Sequence, residues 1–177
     1  MINVIKILLF FGFFLNLAYP TVHLKKSFEY KKDLEVFFDF PNGFNKADTY
    51  FSNTFLQFPK YGELKEYHST YILSAFNYSS MFCSRRFVRD KRKSPDQRSL
   101  YGELPIEQDI QDWSDDQRRN LFSELANFFW FRPIQMDEES IFMDLVYDLI
   151  EAETDSDVIQ KVLCTYFASS FEFRIKR

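Results

Sequence analysis

Residues 137–150 read DEESIFMDLVYDLI and carry the clearest structural pattern in the chain. Three acids open the stretch, and they suit the positive end of a helix. Apolar residues follow at three- and four-residue spacing: Ile141, Phe142, Leu145, Val146, Leu149 and Ile150. This spacing is typical of a helix that buries one face. The stretch therefore predicts an amphipathic helix and favours an all-α fold.

The segments on both sides predict two more helices. Upstream, Ser114 and Gln117 fit a capping box, and Pro133 ends the helix. Its inner face is Leu121, Phe122, Leu125, Ala126 and Phe129. Downstream, Thr154 or Asp155 is expected to cap a last helix. Its stripe is Val158, Ile159, Val162, Leu163, Tyr166, Phe167 and Ser170.

Further upstream, the chain predicts a long helix and an irregular arm. The long helix ends in a basic run before Ser94-Pro95, and residues 94–113 are expected to form a loop. The buried face of the long helix is expected to consist of Leu64, Tyr67, Tyr71, Ile72, Ala75, Phe76, Ser79, Phe82 and Cys83. Residues 19–60 are expected to form an extended, Phe-rich arm with one short helix over 47–58. Within the arm, Leu34–Phe40 reads as a short strand or a buried extended segment. The expected domain, residues 61–177, has four to five helices.

Composition narrows the classes of protein. The 177 residues fit one domain. The chain has 23 Phe residues, and many of these side chains must be buried. The four glycines disfavour β-sandwiches, Rossmann domains and P-loop domains.

Residues 1–18, MINVIKILLFFGFFLNLA, predict a cleaved signal peptide. Lys6 precedes an apolar run that is short for a membrane span of about 20 residues. A retained anchor and a buried N-terminal helix are the alternatives. The leader predicts a periplasmic or secreted protein, or a membrane-anchored one if it is kept.

Cys83 and Cys164 are expected to form a disulfide, since cysteines of exported chains most often pair. The bond would close a loop of about 80 residues, worth roughly 4 kcal/mol. Two separate buried thiols are the alternative. With His23 and His68 as the only histidines, the sequence offers no zinc or haem site and predicts no cofactor.

The long helix is expected to end in a basic run, which contains Arg85, Arg86, Arg89, Lys91, Arg92 and Lys93. One interpretation is a solvated helix end that suits the macrodipole. The other is a contact patch for an unknown protein partner. Nucleic acid is disfavoured because the chain is acidic and the run lacks interleaved aromatic residues.

No catalytic residue is predicted. Acids cluster at helix starts, where the helix dipole explains them. His68 and Ser69 are neighbours on a helix and point about 100 degrees apart, so they do not form a dyad. Two modification motifs remain, a glycosylation sequon at Asn77-Tyr78-Ser79 and a basic protease motif over residues 89–92.

Two short segments carry a family resemblance. Residues 129–139, FWFRPIQMDEE, resemble an "F-x-R-P-x-x-x-E-E" helix junction, and residues 168–174, ASSFEFR, resemble an "S-P-x-F-L-x-R" ending with Ser170 in place of the proline. Together, over residues 114–174, they are similar to the helical tail modules of exported planctomycete and myxobacterial proteins and of small secreted proteins of predatory bacteria. The resemblance implies an exported setting and no reaction.

The leading hypothesis is an exported, non-enzymatic helical module with a protein-binding or structural role. The alternative is an accessory single-pass subunit of a membrane complex. Arg132 and Pro133 are expected to form a structural junction, in which Arg132 bonds helix-end carbonyls or an acid.

Overall fold

The computed structural model describes residues 27–40, 45–54 and 69–170. The predicted leader, His23, His68, the start of the long helix before Ser69 and residues 171–177 lie outside these ranges. Among the described residues there are α-helices and no strands. The α-helices are α1 (Ser27–Phe37), α2 (Asn45–Thr54), α3 (Ser69–Asp90), α4 (Asp115–Trp130), α5 (Met136–Glu151) and α6 (Ser156–Ser169). The predicted all-α class is confirmed.

The pair α3 and α6 forms the centre of the fold and shares the most extensive helix contact. The predicted disulfide joins Cys83 of α3 to Cys164 of α6, with their Cα atoms 5.8 Å apart. Helices α4 and α5 pack against α6, and α1 and α2 pack against α3. The bond therefore staples the two central helices of the core.

The helix starts follow the predicted capping signals. The Ser114 hydroxyl accepts from the Gln117 N–H at 3.2 Å, and the Gln117 side chain accepts from the Ser114 N–H at 2.8 Å. At α6, Asp155 rather than Thr154 is the cap, and its carboxylate accepts from the Val158 N–H at 3.2 Å. These bonds satisfy amide groups that have no partner inside the helix.

The predicted extended segment over Leu34–Phe40 is wrong, because α1 continues to Phe37. Tyr30, Leu34 and Phe38 are fully buried, and their four-residue spacing places them on one helical face. The Tyr30 hydroxyl shares a 2.5 Å hydrogen bond with the Ser79 hydroxyl and donates to the Ala168 carbonyl at 3.0 Å. The run LEVFFDF lies across the end of this helix, and a short apolar run by itself does not distinguish helix from strand. The described part of the predicted arm therefore belongs to the core.

Aromatic rings fill the core, as the Phe content predicted. The Phe167 ring lies 4.5 Å from the Trp130 ring and 4.6 Å from the Phe142 ring, measured between centroids. On the other side of α3, the Phe38 ring contacts the rings of Phe82 and Phe129 at 5.8 and 5.6 Å. In the described ranges, no helix is both long and apolar enough to span a membrane.

Candidate interaction surface

The basic run at the end of α3 does not form one patch. Arg86 is only 2% exposed, so its assignment to the predicted contact patch is wrong. Its guanidinium donates to the Phe38 carbonyl at 3.1 Å and lies 3.2 Å from the carboxylate of Asp90, without the alignment of a hydrogen bond. Asp90 is itself fully buried and accepts from the Leu100 N–H at 3.1 Å. The physical reason is helical spacing, since Arg86 shares the inward face with Phe82 and Asp90.

The two lysines of the run hold neighbouring segments. The Lys91 ammonium donates to the Asp157 carboxylate at 2.8 Å, and the Lys93 ammonium donates to the Gln97 carbonyl at 3.3 Å. Arg92 is exposed. Lys91 therefore connects the end of α3 to α6, and Lys93 connects it to the loop that follows α3.

Arg85 and Arg89 flank the ring of Phe40, which lies more than 40 positions away in the sequence. Their guanidinium carbons lie 5.4 and 5.6 Å from the centroid of the Phe40 ring, within the range of a cation–π contact. Arg89 also pairs with Asp39, donating to its carbonyl at 3.1 Å and lying 2.8 Å from its carboxylate. The predicted lack of interleaved aromatic residues is wrong, because Phe87 lies within the run itself and the Phe40 ring lies between Arg85 and Arg89 in space.

Exposed apolar side chains lie at the end of α1 and at the end of α4. The Phe37 ring lies 5.6 Å from the Phe131 ring. Val36 is 66% exposed and Phe131 is 58% exposed. We call this region the α1-end surface, defined by Val36, Phe37, Phe40, Arg85, Arg89 and Phe131. It joins Arg85 and Arg89 of α3 to the end of α4 through the Phe40 and Phe37 rings at the end of α1.

Two non-glycine residues in or beside this surface have left-handed backbone conformations, Asp39 with φ 57° and Phe131 with φ 56°. Asp tolerates this region, but a bulky side chain is a genuine outlier there. Phe131 is the C-cap of α4, a place where glycine is common. Such strain costs about 1–3 kcal/mol and clusters at functional sites. The sequence signal for this strained position was a Phe at the end of the predicted helix, next to Pro133, where glycine is the common residue.

The predicted junction at Arg132 and Pro133 lies next to this surface. Arg132 donates two hydrogen bonds to the Glu138 carboxylate, at 2.8 and 2.6 Å. Glu138 is 4% exposed and also accepts from the Gln135 N–H at 2.9 Å. The Arg132 guanidinium lies 4.9 Å from the Trp130 ring and donates to the Pro133 carbonyl at 3.0 Å. Arg132 thus ties the end of α4 to the start of α5.

One cleft lies between the loop before α4 and the α5–α6 turn. It has a volume of about 250 Å³ and a polar lining that includes Gln111, Glu153 and Ser156. The Ser156 hydroxyl accepts from the Ile110 N–H at 2.8 Å and so holds the loop in place. The described residues contain no group of His, Cys, Asp and Glu side chains arranged to hold a metal ion.

Comparison of the chain with protein-family models, curated proteins and solved structures gives no match.

Proposed function

We propose that this protein is an exported, non-enzymatic helical module that binds another protein through the α1-end surface. The observation that carries the proposal is the grouping of Arg85 and Arg89 around Phe40, together with the exposed Val36 and Phe131 at the ends of α1 and α4, which the Phe37–Phe131 ring contact joins. Arginine and aromatic side chains are enriched where binding energy concentrates in protein interfaces. The arginines favour a partner whose contact face is acidic and partly apolar.

Two features support export. The disulfide is a bond that persists in oxidising compartments, and residues 1–18 have the pattern of a signal peptide. N-terminal sequencing of the protein from its native cells tests this part. A mature chain that starts after residue 18 supports a secreted or periplasmic module. An intact Met1 on membrane-bound protein favours the accessory subunit of a membrane complex instead.

The binding test is charge reversal by Arg85→Glu with Arg89→Glu, followed by co-purification at low and at physiological salt. We expect the wild-type protein to lose partners as salt rises, because exposed charges are screened over about 8 Å at physiological ionic strength. The variant should lose them at both salts. Its stability should fall only modestly, since Arg85 is exposed and the partly buried Arg89 loses a pair with the exposed Asp39, a kind of surface pair that contributes about 0–1 kcal/mol.

A matched control carries the same charge change elsewhere, by Arg92→Glu with Arg119→Glu. Both residues are exposed, and neither belongs to the α1-end surface. The control should keep its partners. If both variants lose partners equally, net charge rather than this surface controls binding. If the first variant keeps the wild-type set of partners, the surface has no binding role.

Phe131→Gly tests the apolar half of the surface. Glycine relieves the left-handed strain, and the lost ring contact with Phe37 offsets that gain, at about 0.5–1.5 kcal/mol for an aromatic pair. The free energy of unfolding should therefore stay within about 1 kcal/mol of the wild type, while partner binding is lost. Retained binding with unchanged stability would exclude Phe131 from the contact.

A further inference from the structure

The exposed face of α3, upstream of its basic end, has no charged side chain. From residue 69 to residue 84 the helix reads STYILSAFNYSSMFCS, although 27% of the whole chain is charged. Leu73 is 53% exposed on this stretch, and Asn77 and Ser84 are exposed with it. Spacings of four and seven residues place the three on one face. Charged side chains make a helix surface favourable in contact with solvent, and this face has none.

Asn77 lies in the middle of this face and opens the sequon Asn77-Tyr78-Ser79. Its side chain is exposed, whereas Ser79 is fully buried, with its hydroxyl 2.5 Å from the Tyr30 hydroxyl. The folded protein thus exposes the Asn77 amide, to which a sugar would be attached, and buries the Ser79 hydroxyl that the sequon requires. We propose that Asn77 is N-glycosylated before α3 packs, and that the glycan covers the uncharged face of the helix.

The topology leaves time for this modification. The main partner of α3 is α6, and the disulfide between them spans 81 positions in the chain. At about 5–20 residues per second, roughly 4–16 s pass between synthesis of Cys83 and of Cys164. An isolated helix is marginal in water even when its sequence is favourable, and Ser, Tyr and Phe have lower helix propensity than Ala or Leu. Tyr30, which bonds Ser79, is made before the sequon, but the pairing of α3 with α6 that fixes the long helix forms only after Cys164 has been made. Until then the sequon is not held in its buried position.

The reaction needs a donor, an oligosaccharide linked through a diphosphate to a membrane lipid, and a membrane-bound transferase. The Asn77 side-chain nitrogen attacks the anomeric carbon of the first sugar. A carbon–nitrogen bond forms, the bond from that carbon to the phosphate oxygen breaks, and the lipid diphosphate leaves. The amide gives up one proton to a base of the transferase, so no redox change occurs.

The inference rests on the proposed export of the chain, so the experiment separates the two. The full chain is translated with microsomes that supply the donor, once with its own residues 1–18 and once with a well-tested leader in their place. We expect one glycosidase-sensitive increase in mass with both leaders. An increase only with the replacement leader supports the site and contradicts export by residues 1–18. No increase with either leader overturns the site.

Matched variants assign the position. Asn77→Gln should abolish the increase in mass, and Asn120→Gln, an equally conservative change at another exposed helical Asn, should keep it. Ser79→Ala and Tyr30→Phe both remove the buried hydroxyl contact, but only Ser79→Ala destroys the sequon. We expect loss of the glycan in the first and full glycosylation in the second. Equal loss in both would show that the modification depends on the folded contact, and would overturn glycosylation before packing.

Discussion

Arg85 and Arg86 are neighbours in the sequence and have opposite environments. Arg85 is exposed beside the Phe40 ring, whereas Arg86 is buried with Asp90 and the last turn of α1. One step along a helix rotates a side chain by about 100 degrees, which is enough to move it from water into the core. Residues of the same type in the same run therefore have different roles.

Arg86→Met should destabilise the protein strongly. Removing one member of a buried ion pair leaves the other charge uncompensated and costs about 3–5 kcal/mol. Urea unfolding followed by circular dichroism measures the loss, and Arg85→Met is the control, with an expected change within about 0.5 kcal/mol. Adding Asp90→Leu to Arg86→Met should restore part of the stability. Equal small losses at both arginines would contradict the buried role of Arg86.

We expect the buried Tyr101 to lower the free energy of unfolding at alkaline pH. The residue is fully buried, and its hydroxyl has no hydrogen-bond partner among the described residues. Burial, reinforced by the charge of Asp90, raises the pKa of Tyr101 far above its ordinary value. Between the unfolded pKa of about 10 and the higher folded pKa, only the unfolded state ionises. Tyr101 therefore lowers stability as pH rises above about 10, by roughly 1.4 kcal/mol per pH unit.

Tyr101→Phe should remove that part of the slope. Near pH 7 the variant should be as stable as the wild type or more stable, because it deletes an unpaired buried hydroxyl. Urea unfolding of both proteins from pH 8 to 11.5 measures the difference. Parallel curves over the whole range would mean that the phenol ionises in the folded state as readily as in the unfolded one.

At the scale of the elements, the turn between α4 and α5 depends on one ion pair. The Glu138 carboxylate is buried, and Arg132→Ala removes the cation that pairs with it. We expect a loss of about 1.5–3 kcal/mol, the range for hydrogen bonds to charged groups. Any binding activity should fall only in proportion to the folded fraction.

Arg119→Ala is the matched control for this prediction, since Arg119 pairs with Glu139 at 3.5 Å and is 52% exposed. Surface pairs of this kind contribute about 0–1 kcal/mol, so thermal unfolding should change little. Full thermal stability of Arg132→Ala with binding abolished would identify Arg132 as a contact residue and not as a junction.

At the scale of the whole molecule, the disulfide connects the two halves of the chain. The Cys83–Cys164 bond closes a long loop, and the double variant Cys83→Ala with Cys164→Ala should lose about 4 kcal/mol of stability. The wild-type protein should run faster on a non-reducing gel than after reduction. Two thiols counted by alkylation, under denaturing conditions without reductant, would contradict the bond in the natural protein.

Local signals in the sequence predicted a large part of the fold. The helices over residues 114–170 followed from apolar spacing, and the Ser114 capping box followed from two residues three positions apart. These features depend on neighbours within one or two turns, so a single sequence contains the information that forms them. The disulfide was predictable for a different reason, since the sequence contains only two cysteines.

Only the tertiary structure decided the candidate surface. Phe40 lies between Arg85 and Arg89 because α1 packs on α3, and these residues are more than 40 positions apart in the chain. Phe131 reaches Phe37 across a still longer separation. The spacing of a helix shows which residues share a face, but it does not show which face another element covers. Packing determined that Arg86 entered the core, that Leu34–Phe40 ended a helix, and that arginines and aromatic rings met at one place.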